Sequence, residues 1–317
     1  MTDRWRNLVV ESQFATELVR SGISQVCALP MSGDARARVG YDQTYPLNIG
    51  LHLYTSGLER LCKLALACHG FAAKGEFSNV RSYSHRLSNL LTALEQLDTS
   101  QLDSFNPDYL SRPSDEFGDD LVEWLERYAS GGGRYEILDS LSRDDAHLLT
   151  WEKWEEFCSG GAVSEDVEQS ISIRNAVGNA LTDVCIANDL ESAAYPILES
   201  STKPLHAAAV AVGLAMYRRA RWPAEILASV SNYTSQELPI LREAVNVLTQ
   251  TTDNFFAYEI AGVSDREPVI EELINHRDTF VMPDFEVGDA WLEDEPEPEG
   301  ADAEHAAHDG SEQSGTT

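Results

Sequence analysis

Basic residues are scarce in this chain. It has 23 Lys and Arg against 53 Asp and Glu in 317 residues, a formal net charge of −30. Twelve of the carboxylates fall between Asp284 and Thr317, where no Lys or Arg occurs, and without them the body still carries −18. Non-specific nucleic-acid binding rests on many Lys or Arg contacts to phosphate, so the chain is poorly supplied for it on average and only a local basic pocket remains open. A strongly negative field favours solubility and basic partners. Long apolar runs are missing too. No stretch reaches 18 apolar residues free of charge, AAAVAVGLAMY (207–217) is too short, and no membrane span is expected. MTDRWRNLVVESQF at the N-terminus has no continuous apolar segment of the signal-peptide kind. Cysteines are few, odd in number and scattered: Cys27, Cys62, Cys68, Cys158 and Cys185 form no CxxC and no Cys/His spacing that suits zinc. Together these absences describe a soluble cytoplasmic protein in a reducing compartment.

Recognisable catalytic signatures are also lacking. The chain has no G-x-x-x-x-G-K-[ST], G-x-G-x-x-G, H-E-x-x-H or G-x-S-x-G. Asp119-Asp120 and Arg143-Asp144-Asp145 read as helix-start chemistry. No metal site and no cofactor are expected. Long period-two segments rich in β-branched residues are absent, which removes a sheet.

What is present is helical periodicity. Leu51, Tyr54, Leu58, Leu61, Ala65 and Cys68 recur at spacings of three and four, defining a long, largely buried helix with Gly75 as its C-cap. Before it, a helix fits Trp5–Val19, ended by Ser21-Gly22, and residues 30–46 read as a loop. Further helices fit from Ser78 or Asn79 to Leu97, then 115–129, Trp151–Phe157, Val167–Ala187, Ala207–Arg221, Pro223–Ser231, Ser235–Tyr258 and Pro268–Thr279. After Pro283 large apolar residues almost vanish, so 284–317, with His305 and His308, is expected to be a disordered acidic tail. The fold class is all-α, a helical bundle. It divides into an N-terminal helix and loop (1–45), a helical core (46–145), a second helical region packed on it (146–283) and the tail.

The best candidate site lies in FSNVRSYSHRLSNLLTALEQL (77–97). On a continuous helix, at about 100° per residue, Val80, Tyr83, Leu87, Leu90, Leu91, Leu94 and Leu97 form one arc. Arg81 and His85, one turn apart, fall almost opposite it, on a polar face with Ser88, Asn89, Thr92 and Gln96. Arg offers a fixed fork of donors for a phosphate oxygen, and His moves a proton near neutral pH. Together they suit holding a phosphodiester while a ribose 2′-hydroxyl is deprotonated, a reaction that needs no metal. Glu59 and Arg60 could hydrogen-bond polar partners near the site, although a charged pair beside an apolar stripe reads first as a structural salt bridge. Arg134-Tyr135, after a triglycine turn, and Arg218, Arg219 and Arg221, the densest basic patch, are secondary candidates for phosphate or partner contact. The three arginines otherwise read as dipole-complementing residues at a helix C-terminus.

YTSGLERLCKLALACHGF (54–71) followed by VRSYSHRLSNLL (80–91), with GGGRYEILDSL (131–141), resembles the HEPN superfamily of small helical domains over roughly residues 45–145. Active members of that superfamily are metal-independent ribonucleases, often toxins or phage-defence effectors, with an Arg-x4–6-His motif at a dimer interface. Arg81 and His85 match the Arg and the His, with only three residues between them instead of four to six. Many relatives are inactive, serving as partner-binding or nucleotide-binding modules. The resemblance implies a dimeric protein of a bacterial or phage conflict system. The expected role is that of a protein-interaction or scaffold module, with the acidic surface and tail addressing a basic partner. The alternative is a metal-independent endoribonuclease that uses Arg81 and His85 on RNA.

Overall fold

The computed structural model describes residues 3–29, 41–131, 133–142, 149–161, 163–190, 205–233 and 238–261. The expected acidic tail, the expected Pro268–Thr279 helix and the Arg143–Asp145 run lie outside the described residues. The described residues are helical and contain no strand, so the architecture is the all-α bundle that the periodicity indicates.

Helix α1 (Asp3–Cys27) packs along α2 (Tyr41–Lys74). The expected stop at Ser21-Gly22 is wrong, and the reason is tertiary. A Cβ on Gly22 would lie 2.5 Å from the Tyr54 nitrogen and 2.7 Å from the Gly50 carbonyl oxygen. Gly22 is therefore where two helix backbones meet, and α1 continues for another turn past it. Its buried residues (Ser12, Ala15, Thr16, Val19, Gly22, Ile23, Val26 and Cys27) keep helical spacing to the end. Helix α2 begins at Tyr41, inside the expected loop. Pro46 is its sixth residue, where the ring removes one helical hydrogen bond near an end, where the disruption is smallest. The predicted stripe from Leu51 to Cys68 is buried throughout. Gly75 caps the helix at φ 73°, donating its N–H to the Phe71 carbonyl at 2.8 Å.

Residues 78–97 do not form one helix. A 3₁₀ turn, Val80–Tyr83, is followed by a break, and α3 runs Leu87–Glu95. Helix α3 packs on α2 and on α4 (Gly118–Ala129). The short α5 (Glu136–Ser140) and then α6 (Leu149–Gly160) and α7 (Glu165–Ala187) follow.

Helix α8 (Ala207–Tyr233) is the centre of the bundle and touches α1, α2, α6 and α7. Two helices were expected here, split at Pro223; there is one. Pro223 forfeits the bond to the Arg219 carbonyl, but residues 209–217 and 219–231 are buried, so packing on every side holds the helix through it. The expected Ser235–Tyr258 helix is likewise shorter: α9 (Arg242–Thr249), a 3₁₀ turn (Asp253–Phe255) and α10 (Phe256–Glu259). The buried Tyr217 hydroxyl lies 2.7 Å from the carbonyl oxygens of both Leu248 and Thr251, tying the end of α9 to α8. Among the described residues, one hydrophobic core joins side chains from α1 to α10.

Between α3 and α4 the chain forms an irregular strap, 96–117, laid over α8. Trp222 Nε1 donates to the Leu110 carbonyl at 3.0 Å, and the Ser104 hydroxyl donates to buried Glu225 at 2.6 Å. The Arg221 guanidinium stacks 3.6 Å from the Tyr109 ring centroid.

Candidate functional site

The polar side of α2 builds the site. His52, Ser56, Glu59 and Lys63 follow at intervals of four, three and four, opposite the buried stripe. Ser56, Glu59, Arg60 and Lys63 line a cleft of about 420 Å³. Glu11 of α1, Val80 and His85 of the broken segment, and Arg134 complete it.

His85 is held by Glu59. Its Nδ1 lies 2.9 Å from Oε2 and 3.2 Å from Oε1 of that carboxylate. With a carboxylate as acceptor, Nδ1 carries the proton, and in the neutral ring Nε2 holds the lone pair. The imidazole is 71% exposed while the Glu59 side chain is 14% exposed, so a largely buried acid orients an open base. Lys63 Nζ shares Glu59, donating to Oε1 at 2.6 Å, and also donates to the Ser84 carbonyl at 2.7 Å. Burial works to raise the Glu59 carboxyl, but the hydrogen bonds and charges of Lys63 and His85 outweigh it and hold the group below its usual range.

The local backbone explains why His85 stands there. Ser84 has φ 56° and ψ −133°, and Arg86 N–H donates to the Tyr83 carbonyl at 3.3 Å. These are the features of a type II′ turn, whose first central position favours glycine. A serine there stores strain of about 1–3 kcal/mol, and the bond from Lys63 to its carbonyl helps to hold it. Helix α3 begins only after this turn. Arg86, its N-cap, supplies no side-chain bond; the Glu126 carboxylate of α4 accepts from Ser88 N–H at 2.8 Å instead. The leucine stripe is as expected, with Leu87, Leu90, Leu91 and Leu94 buried. The expected placement of Arg81 and His85 one turn apart on one helix is therefore corrected. Arg81 is exposed on the 3₁₀ turn and does not line the cleft.

Arg134 does line it. Gly131, at φ 105°, turns the chain after α4, and Gly133 packs so tightly that a Cβ would meet the Tyr128 ring at 2.5 Å. The Tyr128 hydroxyl donates to the Asn48 carbonyl at 2.6 Å, docking the end of α4 on α2. Arg134 also helps to lower the affinity of His52 for its proton, second to burial. Tyr135 is exposed and is not part of the cleft lining.

Arg218, Arg219 and Arg221 are not a surface patch, and they sit in mid-helix, away from the α8 C-terminus. Arg219 pairs with Asp115 and donates to the Gly118 carbonyl at 2.7 Å; both members of the pair are buried. Arg218 and Arg221 both bind Asp253, at 2.6 and 2.8 Å. These bonds occupy their donors inside the fold. Glu59 and Arg60 take different partners: Arg60 pairs with Glu11, while Glu59 binds Lys63 and His85, the polar partners near the site that the sequence also allowed, and both line the cleft. Lys63, Ser56, His52 and Glu11 were not singled out from sequence. The signal for the first three was the polar side of α2, while Glu11 is visible only through packing.

The five cysteines are buried thiols outside any disulfide. Burial pushes the Cys68 and Cys158 thiols up to about 12, which leaves them unsuited to nucleophilic work at neutral pH. Among the described residues, no group of three or more His, Cys, Asp or Glu is arranged to hold a metal, and no helix is long and apolar enough to cross a membrane.

Fold and site together define an all-α bundle with a carboxylate-anchored histidine in an open, partly cationic cleft. No protein-family model, no curated protein and no solved structure matches the chain.

Proposed function

We propose that this is a HEPN-like helical protein of a bacterial or phage conflict system whose cleft cleaves RNA by acid–base chemistry. The observation that supports this reading is the Glu59–His85 pair in a cleft that also contains Lys63 and Arg134. His85 Nε2 accepts the proton of a ribose 2′-hydroxyl; the 2′-oxygen attacks phosphorus as the P–O5′ bond breaks, giving a 2′,3′-cyclic phosphate, and the departing 5′-oxygen takes the proton back from the His85 imidazolium through water. Glu59 keeps the ring in register and stabilises the imidazolium. Arg134 takes the phosphate role expected of Arg81, meeting charge on the non-bridging oxygens. The test is cleavage of RNA in EDTA by wild type and His85→Ala. Loss of a general base lowers the rate by roughly 10²–10⁴-fold. Equal cleavage by both proteins, or none by wild type at high concentration, overturns the reading.

A second reading, an interaction module or scaffold for a basic protein partner, draws on a different observation. Arg218, Arg219 and Arg221 are matched by Asp166, Asp253 and Asp115, so the densest basic cluster does little to offset the negative charge elsewhere in the chain. This reading calls for salt-sensitive complex formation, weakened by deleting residues 286–317. Partner recovery that survives both 0.5 M salt and the deletion removes it. Homodimerisation is compatible with either reading and would bring two clefts to one two-fold axis.

A further inference from the structure

The edge of the cleft carries a feature that acid–base chemistry does not use. Phe14 of α1 is 48% exposed, and Val10, one turn earlier, is 56% exposed. A large ring at the surface of an otherwise well-packed helix is not placed there by the core, because the buried face of α1 runs through Ser12, Ala15, Thr16 and Val19. The Arg60 guanidinium lies 5.1 Å over the Phe14 ring. Arg60 also pairs with Glu11, and both line the cleft that holds His85. An exposed aromatic ring is thus joined through the Arg60 guanidinium to a cleft that also holds Lys63, Arg134 and His85. The cleft lining holds three cations (Arg60, Lys63 and Arg134) against two carboxylates (Glu11 and Glu59), a local positive excess in a chain of net charge −30.

We infer that Phe14, braced by Arg60, is a base-stacking residue that makes the cleft selective for single-stranded RNA. The inference rests on the reading of the cleft as an RNA site. An aromatic face stacks on any unpaired base and is blocked from a base inside a duplex. The Arg60–Glu11 ion pair keeps the guanidinium beside the ring, which presents a preorganised platform without drawing Arg60 into the phosphate role. Phe14 does not touch the reacting groups; it positions the nucleotide whose phosphate meets Lys63 and Arg134.

The test is fluorescence anisotropy of the full chain with three probes: a labelled, uncleavable 2′-O-methyl oligouridylate, the same length as an abasic strand, and a duplex. Stacking of one base predicts that Phe14→Ala weakens the oligouridylate by roughly 5- to 100-fold while leaving the abasic strand unchanged. Phe14→Trp binds at least as well as wild type. Lys63→Gln and Arg134→Gln weaken both single strands alike. Phe14 is exposed, so Phe14→Ala keeps the wild-type melting temperature. Unchanged oligouridylate binding by Phe14→Ala, or an equal loss on the abasic strand, overturns the stacking role even if the Lys63 and Arg134 variants still weaken binding, in which case the RNA reading of the cleft survives. If wild type binds none of the probes and no cleft variant alters RNA cleavage, both the stacking role and the reading beneath it fall.

Discussion

Replacing Arg219 with Met tests whether the densest basic cluster is an internal clamp. Arg219 and Asp115 are 5% and 3% exposed at their side chains, and Arg219 also donates to the Ala215 and Gly118 carbonyls at 3.1 and 2.7 Å. The variant leaves a buried carboxylate unpaired, which costs about 3–5 kcal/mol. In a protein of this size each kcal/mol moves the melting temperature by roughly 2–4 °C, so a fall of roughly 6–20 °C is expected. Asp115 also accepts from the Phe117 and Gly118 N–H groups at 3.0 and 3.1 Å and so closes the strap onto α4. A double variant, Asp115→Asn with Arg219→Met, removes both charges but keeps an acceptor for those two donors. It should recover at least half of the loss, because exchanging a buried pair for neutral groups is far milder than orphaning one member. Circular dichroism at 222 nm during heating reads both. A single variant that melts within about 2 °C of wild type, or a double variant no more stable than the single, refutes the clamp.

Three other outcomes follow from the geometry. Ser84→Gly relieves about 1–3 kcal/mol of turn strain against about 0.5–1 kcal/mol of added chain entropy, so denaturant unfolding should show a protein more stable by up to about 2.5 kcal/mol; a destabilised variant contradicts the II′ assignment. Glu59 is held below its ordinary value of 4.5, so its stabilising effect is present above that pH and is lost as pH falls through the folded value; the melting difference between wild type and Glu59→Gln should be largest near neutrality and close on acidification, and a difference independent of pH would contradict it. Gly57→Ala puts a Cβ 2.8 Å from the Ala15 carbonyl oxygen and the Val19 nitrogen; it should destabilise by about 1–3 kcal/mol, and a neutral result in the melt would mean that α1 and α2 can separate at little cost.

Much of the fold is legible in local pattern. The stripe from Leu51 to Cys68 and the leucines of α3 repeat at helical spacing, and helical spacing is a property of a segment by itself. Boundaries are less so. Gly22 and Pro223 are ordinary stop signals, yet α1 and α8 run through them, because one backbone contact and one buried environment outweigh local preference. The segment from Ser78 to Leu97 errs in the opposite direction: its periodicity suits a single helix, but Lys63 on the Ser84 carbonyl and Glu126 at Ser88 impose a turn and a later start.

The site divides in the same way. His85 stands out in sequence as a base with no better rival, and its residue type is all that its chemistry requires. Its partner does not stand out: Glu59 is 26 positions earlier, and a hydrogen bond of 2.9 Å across that interval exists only after α2 and the turn have packed. Sequence proximity favoured Arg81, whereas the cleft contains Arg134, carried there by a glycine turn docked through Tyr128. The arginines of YRRAR show the converse, since a dense run of charge reads as surface until the acids that neutralise it are known. Composition and periodicity alone thus determined the helical class, the buried stripes and the acidic balance, because those depend on neighbours along the chain. Which charges are buried, which acid holds His85 and which arginine faces the cleft were decided by tertiary structure, because each depends on residues that only folding brings within a few ångströms.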